Sequence, residues 1–365
     1  MIHLFKKITA YTFACLLFTV LISTSAFAQF NNIGAFLRAG AEDATILTKE
    51  YLRPFPTGFG TGLNAGWNEE AAPKKTLGFS IQIRPSIAMV PSSDQSFNIS
   101  SLQLEKIVVA QGEDPVTPTI AGDNNAGPLL EIYDDPESQN RTKLGEFTMP
   151  QGTGFSFVPA PVVQASLGLV KGTDISLRYF PETEIGDMGK FGVLGGSIKH
   201  DITQWLPAGK VLPVDISVQA GFNQISVNGI LTLQPEGVRN PNDPSLSSNP
   251  NPNFEDQLVE TSTNTFVINA LVGKSIPFIS FYGGLGYQTA SLNLDITGDY
   301  PVNTSISGQD FYNVVTDPVS FSLDSESAMH LLGGFRLKLG VLAIYGEATL
   351  ANYFTANAGV GISFR

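Results

Sequence analysis

The chain has one cysteine, Cys15, and three histidines in 365 residues. Cys15 lies inside an apolar N-terminal run. Without that run the protein has no thiol for a disulfide or a cysteine–metal centre, so its stability rests on burial and backbone hydrogen bonding. Charge is also scarce, at 15% of residues against about 25% in soluble domains. After Ala28 no apolar run reaches the roughly 18 residues that a membrane helix needs. A basic surplus is missing too: the net charge of −12 argues against a nucleic-acid partner. Few charges without long apolar runs is the composition of a membrane β-barrel, which hides its apolar residues at every second position.

What is there begins with a targeting segment. Lys6 and Lys7 precede the apolar stretch Ile8 to Ile22, and Ala26-Phe27-Ala28 is the small-x-small pattern of a signal-peptidase site. Residues 1–28 therefore read as a cleaved signal peptide, and the chain as exported to an outer membrane. Thr12-Phe13-Ala14 before Cys15 fits a lipoprotein site poorly. Next, Ile33, Phe36, Leu37, Ala41, Ala44, Leu47 and Tyr51 recur at near-helical spacing until Pro54. Residues 29–60 are expected to form a short helical plug, with Phe36, Leu37, Leu47 and Tyr51 buried inside the barrel. Residues 61–365 are the expected barrel.

Beyond Thr61 the period changes to two. Leu77, Phe79, Ile81, Ile83, Ile87 and Met89 share one face, and Ser80, Gln82, Arg84 and Ser86 the other. Val214 to Phe222 and Ala356 to Phe364 repeat the pattern. Hairpin parity gives an independent check, because a one-residue slip inverts a face. The faces around Gly340-Val341 demand an even turn, those around Lys171-Gly172-Thr173 a three-residue turn, and those around Ser275-Ile276 an even turn. Connections near these points are short. Those at Phe180 to Gly189, Gly229 to Glu260 and Asp295 to Ser325 are longer, which is the asymmetry of periplasmic turns and outer loops. Trp205, Phe278 and Phe364 near one rim, and Tyr179, Phe180, Tyr287, Tyr353 and Phe354 near the other, suggest two aromatic girdles. Within the unclear stretch Val90 to Pro161, Leu102 to Ala110 and Lys143 to Phe147 are candidate strands. The fold expected is an all-β antiparallel transmembrane barrel of about 12–14 strands.

Arg84, Arg178, Asp215, Gln219, Arg336, Lys338 and Glu347 sit opposite the apolar rows. Arg or Lys facing lipid at mid-depth costs about 2–4 kcal/mol, so these seven are expected to face the lumen. No enzyme motif emerges. Beyond residue 28 only His200 and His330 remain, with neither a G-x-S-x-G elbow nor a His pair at i, i+4. No cofactor and no metal centre is expected. Asp134-Asp135-Pro136-Glu137 and Glu255-Asp256 could offer oxygens to calcium, without the spacing of a calcium hand.

Several segments together carry a resemblance: Tyr51-Leu52-Arg53-Pro54, Leu63-Asn64-Ala65-Gly66-Trp67, Leu77-Gly78-Phe79-Ser80-Ile81, Arg178-Tyr179-Phe180-Pro181, Gly196 to Asp201 and Gln204-Trp205-Leu206-Pro207. The sequence resembles an uncharacterised family of exported proteins of Bacteroidota-type bacteria, with a domain of unknown function. More distantly it is similar to the long-chain fatty-acid transporters, outer-membrane barrels with an N-terminal hatch that Ala39 to Ala44 echoes. That resemblance implies a hydrophobic small-molecule ligand, outer-membrane lipids as surroundings, and an assembly machinery that reads Ala356 to Phe364. No ligand-binding residue matches, so no site is carried over. Passive passage of a hydrophobic molecule such as a fatty acid is the leading expectation. A structural or adhesive surface barrel and a soluble exported β protein are the alternatives.

Overall fold

The computed structural model describes residues 34–184, 189–207, 212–306, 309–325 and 327–364. The expected signal peptide and the first residues of the expected plug lie outside these. Strand β1 runs through Phe79–Ile83 and, past Arg84-Pro85, Ser86–Met89. Strand β2 is interrupted at the same level, into Phe157–Ala160 and Val163–Gly168. Pro85 and Pro161 have no N–H for the ladder, but Arg84 N still donates to Val162 O at 2.9 Å across the gap. The others are β3 (Thr173–Glu184), β4 (Lys190–Asp201), β5 (Asp215–Leu231), β6 (Gln257–Ser275), β7 (Ile279–Thr297), β8 (Ala328–Leu339), β9 (Leu342–Leu350) and β10 (Phe354–Phe364). Each pairs antiparallel with the next, and β10 closes on β1 with Phe364 opposite Phe79.

The closed barrel thus has ten strands, not twelve to fourteen. The stretch from Val90 to Ser156 does build strands, including Ile107–Val109 and Lys143–Thr148, but they form separate small sheets. The hairpins follow the expected parities. Leu339 faces Leu342 across Gly340-Val341, and only Gly340 has positive φ, as a type II′ turn requires. Ser275 faces Ser280 across an even turn. At the third hairpin Leu169 N bonds Thr173 O, so the three turn residues are Val170-Lys171-Gly172, one earlier than expected.

Alternation continues along the whole of the longest strands, but its chemistry reverses halfway. On β7, Ile279, Phe281, Leu285 and Tyr287 point outward and Ser280, Tyr282 and Gln288 inward. Past Tyr287 the outward residues become Thr289, Ser291, Asn293 and Asp295, and the inward ones Ala290, Leu292, Leu294 and Ile296, all buried. On β5 the same exchange falls after Asn223, where Ile225, Val227 and Leu231 turn inward. The levels coincide: Phe222 pairs with Phe266, and Phe266 with Thr289. Below this line the molecule is apolar outside and polar inside, as in a membrane barrel. Above it the pattern is that of a soluble sheet. The apolar part of β7, Ile279 to Tyr287, has the length of a membrane-crossing β-strand, about 9–11 residues.

The part above the line is a cap. It contains a 3₁₀ turn, Gly34–Ala39, helix α1, Ala41–Leu52, and the small sheets. Phe36, Leu37, Leu47 and Tyr51 are completely buried, yet not in the lumen at membrane depth. They pack with Ile120, Leu130, Ile132, Phe147, Leu231, Val259, Leu294 and Tyr300 in the cap core. The reason is chemical: the lumen wall below is polar, and these side chains need an apolar setting. Asp43 fixes α1 by accepting from Glu105 N and Lys106 N at 2.7 and 2.8 Å.

Candidate functional site

Pro54 ends α1 and starts a second helix, α2 (Pro54–Asn64), since proline at a first helical turn loses no hydrogen bond. Two prolines and three glycines give α2 little intrinsic helicity. Packing holds it across the long-loop mouth of the barrel, against β1, β2, β6 and β7. A Cβ on Gly58 would overlap the Val158 side chain, so glycine permits this close approach.

From Leu63 the chain leaves the helix and descends through the lumen as a thread, and its contacts mark the descent. Asn64 Nδ2 donates to Phe266 O at 3.1 Å, at the level where the faces exchange. Gly66 N donates to Glu347 at 2.6 Å. Asn68 O accepts from Tyr282 and from Arg84. Ala71 O accepts from Ser217 at 2.7 Å. Lys74 N reaches Asp174 at 2.9 Å, and Leu77 N bonds Gly168 O beside the short turn, where β1 begins.

Three arginines of the wall clamp this thread. Arg178, fully buried on β3, donates to Leu63 O and to Ala65 O (3.0 Å) and to Gln164 (2.9 Å), and lies 3.6 Å from the Trp67 ring centre. Among the described residues no carboxylate forms an ion pair with it; carbonyls, amides and the indole face solvate its charge. Arg84 bonds Asn357 and the Tyr282 hydroxyl, with Glu347 3.6 Å away. Arg336 pairs with Glu70 at 2.8 Å. Glu69 takes Lys74 at 2.8 Å, Ser80 and the Tyr345 hydroxyl. Gly221 makes room for the indole, because a Cβ there would press on Trp67.

Of the seven side chains singled out in the sequence, Arg84, Arg178, Gln219, Arg336 and Glu347 are buried around the thread. Asp215 and Lys338 occupy the same inward register nearer the short-turn rim and are half-buried. The sequence reading missed the partners: Trp67, Glu69 and Glu70 on the thread, and Tyr282 and Asn357 on the wall. One signal was available. Inward Arg84, Arg178, Lys199 and Arg336 outnumber the inward carboxylates of the strands, and adjacent Glu69-Glu70 just before β1 supplies the missing charge. His330 bonds Asn269 at 2.7 Å, and His200 bonds Thr173 and Trp205 at the rim. Asp134 accepts from Asp135 N and Thr142 N within its loop. Phe180 and Tyr353 turn inward, while Trp205, Phe278, Tyr179, Tyr287 and Phe354 remain on the outer face.

Beside the thread a narrow polar cleft remains, lined by Trp67, Glu70, Asp174, Lys199 and Gln219 among others. Trp67 Nε1 and Gln219 Nε2 meet no protein acceptor, a need that water meets in buried polar sites. A second feature is apolar. Strands β2 and β3 pair only from Gly168–Asp174 to Gln164–Arg178. Above that they diverge, β3 following β4 while β2 follows β1. The resulting seam opens at the upper edge of the apolar belt. Leu63, Ala160, Phe191, Val193 and Val227 fill it, with Phe59 and Phe180 packed on them.

A family model described as "Family of unknown function (DUF6588)" matches residues 5–364. The chain belongs to this family. No curated protein matches the sequence. Among solved structures, this DUF6588 member is similar to Ail, the attachment invasion locus protein of Yersinia pestis. Identity is 10% over 79% of this chain and 99% of that one, with a TM-score of 0.25. The translocator domain of the autotransporter NalP from Neisseria meningitidis matches at 10% identity over 90% and 99% of the two chains, TM-score 0.23. The toluene transporter TbuX of Ralstonia pickettii matches at 10% over 82% and 92%, TM-score 0.20. All are outer-membrane barrels; at such scores the likeness carries no argument about function. The membrane reading of this DUF6588 protein rests on its own outward apolar belt.

Proposed function

We propose that this protein is an outer-membrane barrel that admits a hydrophobic small molecule, such as a fatty acid, at its long-loop end and releases it sideways through the seam between β2 and β3. The supporting observation is the seam itself: an apolar parting of the wall at the edge of the lipid belt, stoppered by a helix of low intrinsic stability. The axial route is unsuited to such cargo, because the thread occupies it and its lining is largely polar, the small cluster of Ala71, Leu271, Tyr282 and Leu332 apart. Outer-membrane lipids surround the belt in this reading. Ala356 to Phe364, alternating and ending in Phe364, is the strand that the barrel-assembly machinery engages.

The test pins the stopper. Gly62 on α2 packs against Ala160 on the β2 side of the seam, a Cβ on Gly62 lying 3.1 Å from that of Ala160, so a retreat of the helix by about half an ångström brings the pair to the roughly 3.5–4.5 Å spacing of a disulfide. Cells lacking their own long-chain fatty-acid transporter would express the wild type or Gly62→Cys/Ala160→Cys. Uptake of labelled oleate above the vector control, lost in the oxidised double variant and restored by reductant, is the expected result. Uptake equal to the vector control, or unaffected by the disulfide, refutes the proposal. A surface role remains the second reading, favoured by the size of the cap. It is the one left standing if the wild type takes up no oleate.

A further inference from the structure

The two ends of the described chain lie on opposite sides of the apolar belt. Gly34–Leu52 belongs to the cap at the long-loop end, while β10 ends at the short-turn end, Phe364 stacking on Phe79 at 4.8 Å. The crossing between them is made inside the barrel. From Asn64 at the Phe266 level to Leu77 at Gly168, successive residues touch successively lower positions of the wall. Short turns of outer-membrane barrels face the periplasm and long loops the exterior. We infer that the segment preceding the barrel is carried through the lumen and displayed on the cell surface, where Gly34–Leu52 forms part of the outer cap.

The arrangement bears on partners. A plug with a free periplasmic end could be drawn out by a periplasmic protein that pulls on it. Here the far end of the thread is anchored in the cap core by Phe36, Leu37, Leu47 and Tyr51. Tyr51 also donates to Gln151 O at 2.9 Å, and Ile120 N donates to Tyr51 O at 2.9 Å. The near end continues directly into β1. Among the described residues no end of the thread lies on the periplasmic side, so a pull from that side would have to draw Gly34–Leu52 out of the cap core and through the lumen. A regulator of the plug would act from the outer face.

Cysteine accessibility tests this directly. Glu42 is exposed on α1, Lys75 is exposed where the thread leaves the lumen, and Val116 is exposed in a cap sheet. Three variants, Glu42→Cys, Lys75→Cys and Val116→Cys, would be treated on intact cells with a maleimide on a polymer too large for porins, then again after permeabilising the outer membrane. Each must first show the heat-modifiable band of a folded barrel. The expected result is full labelling of Glu42→Cys and Val116→Cys on intact cells, with Lys75→Cys labelled several-fold more after permeabilisation. Labelling of Val116→Cys but not Glu42→Cys on intact cells overturns the threading. Protection of Val116→Cys with labelling of Lys75→Cys overturns the orientation. These outcomes are independent of whether any fatty acid is taken up.

Discussion

Arg178 brings a full charge into a fully buried place, and its partners are two carbonyls of the thread, two amides and an indole face. Removing it leaves those acceptors buried and unsatisfied. Each buried acceptor left without a partner costs about 1–3 kcal/mol. Arg178→Leu should therefore lower the temperature at which the detergent-solubilised barrel loses its compact, heat-modifiable band. Arg178→Lys should recover only part of it, because a single ammonium cannot reach all the acceptors that the fork does. Equal stability of wild type and Arg178→Leu would mean the clamp contributes nothing. A different residue sets the acid response of the outer loop. Burial alone would raise the pKa of Asp299, but bonds from Thr316 (2.6 Å), Asn249 (2.7 Å) and Asn253 N (2.8 Å) hold it below the usual value. A depressed carboxylate stabilises above its unfolded pKa, about 3.9 for Asp, and loses that contribution as pH falls through the lower folded value. The loop from Asn240 to Asp256 should thus resist proteolysis at pH 5 and loosen only below about pH 4. Pepsin cleavage near Leu246 or Phe254 across pH reads this out, and full susceptibility at pH 5 would contradict it.

At the scale of elements, the membrane half was the legible part. Outward rows such as Phe79-Ile81-Ile83 and Val218-Phe222 satisfy a simple rule, and hairpin parity then fixes register. In the sequence the upper ends of β5, β6 and β7, from Gly229, up to Glu260 and from Asp295, read as loops, and the apolar rows stop short of them for a physical reason. Their period of two persists, but apolar and polar residues exchange faces after Asn223 and after Tyr287, and a search for one continuous apolar face stops there. The helical periodicity of Phe36 to Tyr51 was visible as well. Its destination was not, because a helix face records only that it needs an apolar neighbour. The thread escaped notice because Ala65 to Lys75 has no period at all; only the pairing of its glutamates with wall cations betrays it. The exchange line also makes a quantitative contrast. Leu285→Arg places a cation on the lipid side of the belt, at a cost of about 2–4 kcal/mol at the bilayer midplane and less toward its edges. Asn293→Arg, on the same outward row above the line, should fall within about 0.5 kcal/mol of wild type. Denaturant unfolding from lipid vesicles compares the two, and equal costs would misplace the belt.

For the whole molecule, closure depends on one strand serving two neighbours. Val360 to Phe364 pairs with Phe79–Ile83 on one side, and β9 pairs with β10 on the other. Deleting Gly359 to Arg365 should leave two unpaired edges in lipid, where each unsatisfied backbone group costs several kcal/mol. No heat-stable barrel should be recovered from the outer membrane; normal yield of the truncated form would show that closure does not need these pairs. The thread sets a second property of the whole. With Glu69 and Glu70 changed to Gln, Arg336 keeps its burial and loses its counter-charges, so the thread should detach intermittently. Planar-bilayer recordings should then show flickering current where the wild type is silent, and silence in both would argue that the charges do not hold it.

The threaded lumen also dictates an order of events in time. A folded cap is far too wide to pass through a barrel whose interior one extended segment fills. Either Gly34–Leu52 crosses while still unfolded, or β1 and β10 meet only after the thread has been laid between them. In both cases the cap core matures last, since it joins residues from before the thread, such as Phe36, with Leu130 and Tyr300 from long after it. The docking of the protein's beginning onto loops that are synthesised later should then close the sequence of events, and a folding intermediate should carry a finished wall beneath an unfinished crown.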